Sequence, residues 1–403
     1  MKYIVVLGDG MADEPIDMLG GKTPLAYANT PMMDALAAKS EIALVHTIPK
    51  GMSPGSDTAN LSVMGYDPRK YYSGRSPLEA LSIGVAMQPT DVAIRVNFVT
   101  LTDEDIPFAQ RTILDHSSGE IPTEDAAVLL EAIKKEFEND TYHFYVGTSY
   151  RHLFLWDHGE VVGLDQPHDH LGEVIGPYMP QDPVLRDMMI RSYDILNKHP
   201  INSERAAKGR NKANCLWFWG AGTRPALPAF EQKTGKTGVM ISAVDLLKGI
   251  AAGIGMDVAE VKGATGSLRT NYEGKAMEAV RQLLAGKDFA YIHVEAPDEM
   301  GHQGNVAHKV QAIEYLDQRI IRIVVEELEK AGEDFRMLIM PDHPTPIRCR
   351  THTSDPVPYM LYDSRMPADN IGMLYNELMA NNTGKRIQCG YRLMDRLLEM
   401  ETV

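Results

Sequence analysis

The sequence predicts an α/β protein with a mostly parallel sheet flanked by helices, and three observations carry that expectation. Short apolar runs at Tyr3–Leu7, Phe289–Val294 and Arg336–Met340 have the pattern of strands buried on both faces. A helical stripe of Val310, Ile313, Leu316, Ile320 and Val324 lies between the last two, giving the strand, helix, strand order of a parallel sheet. An acidic residue follows each run (Asp9, Asp298, Asp342), and in open α/β sheets the ligand crevice lies outside the carboxyl ends of the strands.

At 403 residues the chain exceeds what one hydrophobic core usually serves, so two domains are expected. Hydrophobic content of 44% and charged content of 24% are ordinary for a soluble globular protein. The formal net charge of -15, with no basic run, argues against nucleic acid as the main partner. A small anionic substrate would need locally placed Arg or Lys, or metal ions. Cys215, Cys349 and Cys389 are isolated, which points to a reducing compartment without disulfides or a cysteine zinc site. The opening apolar run is too short for a signal peptide, and no later segment is long and apolar enough to span a membrane. The expected compartment is the cytoplasm, with no membrane partner.

Along the chain, Thr30–Ala37 reads as a helix with a Thr cap and Pro at its first position. In Pro54-Gly55-Ser56-Asp57 the Pro-Gly pair makes a tight turn that delivers Ser56 to the start of a helical run. Helix N-termini cradle phosphate, but a serine becomes a nucleophile only beside a base or a metal. Tyr71–Pro77 reads as a linker. Between Leu78 and Tyr193, Val92–Thr100, His143–Val146 and His152–Trp156 are strand-like. Asp125–Phe137 is expected to be a helix with Val128, Leu129, Ile133 and Phe137 on one stripe.

The same region offers a basic spot at Tyr150-Arg151-His152 and a polar loop, Leu114–Gly119, containing His116. Gln166–His170 holds two histidines in a Pro-bounded loop, where neighbours rarely converge on one ion. Asn214–Trp219 is another buried strand, leading through Gly220-Ala221-Gly222 to Arg224, which reads either as suited to a phosphate or carboxylate or as a plain surface-loop arginine. Lys233–Gly238 lacks P-loop spacing, though Lys236 before the strand Val239–Ala243 would still reach an anion.

The acidic strand ends are accompanied by His302, His343 and His352. Asp298 and His302 stand four apart, on one face of a helical turn. Carboxylate with imidazole is the ligand set of zinc, manganese or iron rather than calcium or magnesium. Six such ligands plus Ser56 suit two metals with open positions. Two adjacent metals clamp the oxygens of phosphoryl transfer and lower the pKa of a bound hydroxyl, which here would be that of Ser56.

Asp9, Ser56, Asp298, His302, Asp342, His343 and His352 resemble, in order and context, the alkaline phosphatase superfamily. Within it the sequence is most similar to the cofactor-independent (2,3-bisphosphoglycerate-independent) phosphoglycerate mutases of the shorter archaeal type. Its markers are Gly8–Asp13, Pro54–Asn60, Gly65–Pro68, Tyr72–Ala80, Trp219–Gly222, His293–His302 and Pro341–His343. They span almost the whole chain.

The resemblance implies an alkaline-phosphatase-like catalytic domain of residues 1–74 and 225–403, interrupted by an inserted α+β substrate-binding cap of residues 75–224. It implies two divalent metal ions, Mn²⁺ or Zn²⁺, one on Asp298, His302 and His352, the other on Asp9, Asp342, His343 and Ser56. Ser56 would take the phosphoryl group of 3-phosphoglycerate as a phosphoserine and return it to the 2-hydroxyl. Arg224, Lys236, Arg151 and His116 would hold the small phosphorylated acid. Short bacterial chains of this type also resemble a subgroup proposed as homoserine kinases, which would share the metals and Ser56. A metal-dependent phosphatase, with water as acceptor, is a third reading, and a non-catalytic binding protein a fourth.

Overall fold

The computed structural model describes residues 1–400 of the chain. The backbone divides into two compact units, Met1–Tyr72 with Ala226–Val403, and Ser73–Pro225.

The first unit is built on an eight-stranded sheet. Its spatial order is Arg386–Ile387, Ser40–Val45, Val357–Asp363, Phe335–Met340, Lys2–Gly8, Phe289–Val294, Gly238–Ile241 and Asp257–Val258. Val357–Asp363 runs antiparallel to both neighbours, and every other pairing is parallel. Lys2–Gly8 lies between Phe335–Met340 and Phe289–Val294, with Leu7 opposite Met340 and His293. Its run is apolar throughout because both faces are covered. On one face Ile4, Val6, Ile292 and Ile339 pack with Ile313, Leu316, Ile320 and Val324. Val5, Leu7 and Asp9 point the other way by strand alternation.

The expected helix Val306–Leu328 is present with an interruption. Val306–Leu316 passes through a π-helical segment, Asp317–Ile321, into the helix Arg322–Lys330. Asp317 in that segment is wholly buried, and its carboxylate accepts the N–H groups of Met33 (2.6 Å) and Met32 (3.2 Å). These are the first-turn donors of the helix Pro31–Ala37, so Asp317 does the capping expected of Thr30, whose side chain makes no cap bond. Similarly, the expected linker Tyr71–Pro77 is partly helical. Pro68–Tyr71 and Arg75–Ser82 flank Gly74, whose φ of 117 only glycine adopts readily.

The second unit is an antiparallel sheet. Val92–Leu101 is buried at all ten positions and lies between Arg151–Trp156 and Cys215–Thr223. Tyr142–Thr148 and Ile113–Asp115 complete it. The helices Thr123–Phe137 and Pro183–Asn197 contribute Leu129, Ile133, Leu185 and Met189 to a core with Phe98, Phe154 and Trp217. Ala126, Leu129, Leu130, Ile133 and Phe137 form the buried stripe, and Val128 is 51% exposed. One residue before Leu129, Val128 is turned about 100° away from it. Among the described residues no helix is long and apolar enough to cross a membrane.

Candidate metal centre

Strands whose carboxyl ends share one edge of the large sheet deliver the site. Asp9 follows Lys2–Gly8, Asp342 and His343 follow Phe335–Met340, and Asp298 and His302 lie on the short helix Ala296–His302 after Phe289–Val294. Thr47, just beyond Ser40–Val45, donates its hydroxyl to the Asp342 carbonyl at 2.5 Å. Gly10 lets the Asp9 loop close down, with φ of 59; a Cβ there would stand 2.8 Å from the Asp298 Cα.

Asp9, Asp342 and His343 offer ligand atoms that all lie within 4.8 Å of one another. His343 Nε2 is 3.4 Å from Asp342 Oδ2 and 3.6 Å from Asp9 Oδ1. Asp342 is fixed by the N–H groups of His343 (2.9 Å) and Gly10 (3.2 Å) on Oδ1, and by Asn60 Nδ2 on Oδ2 (2.8 Å). Tyr291 in turn donates its hydroxyl to Asn60 Oδ1 at 2.6 Å. Asp9 Oδ2 meets His293 Nε2 at 2.9 Å, while Asp9 Oδ1 is buried without a hydrogen-bond partner among the described residues. Burial, then the charges of Asp342 and Asp298, push the Asp9 carboxyl well up. Ser56 opens the helix Ser56–Val63, and its Oγ lies 3.1 Å from His343 Nε2. The serine oxygen therefore points to where the ligand atoms converge.

Asp298, His343 and His352 form a second group within 4.8 Å, so His343 belongs to both. The His343 and His352 rings stack with centroids 3.9 Å apart. His302 Nε2 lies 3.0 Å from His352 Nε2 and 3.1 Å from Asp298 Oδ2, and His352 Nε2 lies 3.4 Å from Asp298 Oδ1. His302 Nδ1 faces the Arg350 carbonyl at 2.9 Å, and His352 Nδ1 the Pro54 carbonyl at 3.1 Å. A carbonyl only accepts, so each Nδ1 carries the hydrogen and both Nε2 lone pairs meet beside a carboxylate.

Converging acceptors need a positive centre between them, a proton or a cation. The proton alternative shows in the metal-free chain, where His302, chiefly through its hydrogen bond with Asp298, is pushed up to about 9. Burial would raise Asp298, but hydrogen bonds from His302 and His352 hold it well below the usual carboxylate range. The bare Asp9 oxygen and the facing lone pairs together are a donor set that fits divalent cations.

The structure thus gathers Asp9, Ser56, Asp298, His302, Asp342, His343 and His352. Within the inserted unit, the His116 and Tyr150 ring centroids are 5.7 Å apart and the Arg151 guanidinium lies 5.5 Å from the Tyr150 ring. His116 Nδ1 is buried and unpartnered among the described residues. Arg224 is exposed just past Cys215–Thr223.

Lys236 does not join the cluster. Its ammonium lies 5.5 Å from the Tyr3 ring, and it precedes Gly238–Ile241 in a sheet where Gly238 pairs with Phe289 and Tyr3 with Phe289. A residue before a parallel strand sits at its amino edge, and Asp9 lies at the other edge, about 20 Å away at the ordinary rise per residue. His168 and His170 join no metal group among the described residues; His170 stacks on Tyr178 at 3.7 Å and meets Glu173 at 3.1 Å.

The sequence pattern assigns no role to His293 and Asn60, which stand at the ends of the markers above, or to Thr345, whose hydroxyl donates to Asp298. For His293 the signal is a lone imidazole in the otherwise uncharged, buried strand Phe289–Val294.

A large, mostly parallel α/β sheet with such a cluster at its carboxyl edge is the architecture of an α/β enzyme whose site lies at its strand ends. The profile of the 2,3-bisphosphoglycerate-independent phosphoglycerate mutase family matches residues 37–202. A Geobacter sulfurreducens protein named "Probable 2,3-bisphosphoglycerate-independent phosphoglycerate mutase" is 46% identical over 99% of this chain and 100% of its own. The 2,3-bisphosphoglycerate-independent phosphoglycerate mutase of Methanosarcina barkeri is 47% identical over 90% of each chain. The solved cofactor-independent phosphoglycerate mutase of Thermoplasma acidophilum superposes with a TM-score of 0.68 at 29% identity, covering 99% of both chains. The chain belongs to the 2,3-bisphosphoglycerate-independent phosphoglycerate mutases.

Proposed function

We propose that this protein interconverts 3-phosphoglycerate and 2-phosphoglycerate through a phosphoserine at Ser56, with two divalent cations, Mn²⁺ or Zn²⁺, at the site. The observation that carries the reading is the position of Ser56 Oγ, 3.1 Å from the imidazole common to both ligand groups. Asp298, His302 and His352 would hold one ion, and Asp9, Asp342, His343 and Ser56 the other. When bound, the pair supplies positive charge to the phosphoryl oxygens and lowers the pKa of a hydroxyl.

The chain's own groups do the rest. Helix start and turn aim the Ser56 oxygen, and Asn60, one turn later, orients Asp342 and accepts from Tyr291. The phosphoryl group leaves O3 of glycerate as its bond to Ser56 Oγ forms, and the serine proton is balanced by protonation of O3. Transfer to O2 reverses both. Arg151, His116 and Arg224 are the proposed contacts to the acid's charged groups. The proposed compartment is the cytoplasm, where isolated cysteines stay reduced.

The test is an assay of metal-reconstituted protein. It should interconvert the two phosphoglycerates without added 2,3-bisphosphoglycerate and stop when a chelator removes the ions. Phosphorylation of homoserine from ATP without phosphoglycerate turnover would overturn the reading, as would release of inorganic phosphate as the main product.

Cation binding should also depend on pH. A proton held at His302 up to pH about 9 must leave before that imidazole binds a metal. Affinity should therefore rise by up to about tenfold per pH unit toward 9 and then level off. Calorimetry in buffers of different ionisation heat should show proton release on binding at neutral pH; no release would contradict the arrangement. In the metal-free fold the sign is opposite. Its raised folded pKa makes His302 stabilising below the unfolded value, and that contribution is lost as pH rises through about 9.

A further inference from the structure

We propose that His293 and Ser242 form a positioning relay that assigns separate tasks to the two oxygens of Asp9. The inference rests on the reading of Asp9 as a cation ligand. Sheet register creates the alignment. Ile292 is opposite Ile241 and Leu7 is opposite His293, so the next step places Ser242 on one side of His293 and the strand leading to Asp9 on the other. The Asp9 N–H is bonded to the Val294 carbonyl at 2.9 Å, and Lys275 Nζ donates to the His293 carbonyl at 3.0 Å, so the backbone on both sides is tied down.

The hydrogens along the relay can be placed from donor and acceptor chemistry. Val244 N–H donates to Ser242 Oγ at 3.0 Å. Ser242 Oγ lies 3.1 Å from His293 Nδ1, and His293 Nε2 lies 2.9 Å from Asp9 Oδ2. An ionised Asp9 only accepts, so Nε2 must carry the hydrogen and Nδ1 must accept from the serine hydroxyl. Every group is then satisfied in one direction, from the Val244 amide to Asp9 Oδ2. Asp9 Oδ1, buried and without a partner among the described residues, is left as the oxygen facing His343 at 3.6 Å. The relay makes Asp9 a one-oxygen ligand with fixed orientation. Hydrogen-bond partners behind a metal ligand commonly set its geometry in this way.

The test compares zinc uptake by the full-length wild type with that of His293→Leu, His293→Gln and Ser242→Ala, by competition with a chromophoric chelator. Near-ultraviolet circular dichroism checks that each variant is folded. The wild type should take two ions. His293→Leu should weaken one of them by about 10–100-fold and leave the other nearly unchanged. His293→Gln, whose amide N–H can still reach Asp9 Oδ2, should recover much of the loss.

Nitrogen-15 NMR of the zinc-loaded wild type should find the His293 hydrogen on Nε2, and Ser242→Ala should keep it there while shifting the Nδ1 resonance, because that nitrogen loses its hydrogen bond. Should Leu misfold, the NMR signature and the Gln and Ala variants still decide. A hydrogen on Nδ1, or equal affinities of wild type and the folded His293 variants for both ions, would overturn the relay alone. A wild type that binds no zinc would remove the proposed metal chemistry and the relay with it.

Discussion

Replacing Ser56 with Ala should lower phosphoglycerate interconversion by about 10⁴-fold or more, the scale of losing a covalent nucleophile, while cation binding survives. The substitution deletes only Oγ. The remaining ligand atoms of both groups come from other elements, after Gly8, after Met340, and from the Ala296–His302 helix and the His352 segment. The helix Ser56–Val63 is also retained, because its cap is Gly55 and Ala59 N–H still bonds the Gly55 carbonyl at 3.0 Å. Acid-quenched wild type incubated with 3-phosphoglycerate should carry phosphate on the peptide containing Ser56, and the variant should carry none. A variant retaining more than a few per cent of activity would show that phosphoryl transfer bypasses this serine.

Lys309→Met should cost about 3–5 kcal/mol of stability, the usual result of breaking a buried ion pair from one side. Lys309 is wholly buried, and its ammonium donates to Asp13 Oδ2 at 2.8 Å, the Thr345 carbonyl at 2.8 Å and the Ala12 carbonyl at 3.4 Å. Those three acceptors belong to the loops after Gly8 and after Met340, which carry Asp9 and Asp342. Asp13 also accepts the N–H groups of Glu14 (2.8 Å) and Ile347 (3.2 Å), and its own N–H goes to Glu377 at 3.1 Å. Methionine fills the space of the stem but leaves Asp13 as an uncompensated buried charge. Urea unfolding should therefore show a smaller loss for Asp13→Asn with Lys309→Met than the two single losses added together. Additive losses would mean that the pair does not act as a unit.

The sequence made the candidate site legible for a local reason. Each proposed acidic ligand stands within four residues of the end of an apolar run that reads as a buried strand, and parallel strands gather their carboxyl ends at one edge. The groups that hold those ligands were not legible. His293, Asn60 and Lys309 lie inside a strand or a helix, where a polar residue looks the same whether it faces a ligand or a neighbouring backbone. Their partners (Asp9, Asp342, Asp13) are hundreds of residues away in sequence, and only the folded packing of sheet and helices joins them.

Lys236 shows the converse. Basic in sequence, it precedes its strand, and strand direction puts it at the edge remote from Asp9. Asp317 took over a cap that local pattern assigned to Thr30, since a buried carboxylate on another helix can satisfy two amides where a hydroxyl satisfies one.

The position of Lys2–Gly8 at the middle of the large sheet has a consequence for synthesis. It is made long before its hydrogen-bonding neighbours, which begin at Phe289 and Phe335. At ribosomal rates of about 5–20 residues per second the wait is tens of seconds. Meanwhile all five strands of the inserted unit come from one continuous stretch, Ser73–Pro225, and can pair as soon as that stretch emerges. The nascent chain therefore carries an apolar, unpaired strand ahead of a finished sheet until Phe289 and Phe335 emerge, and that interval is when the chain most needs a chaperone's cover.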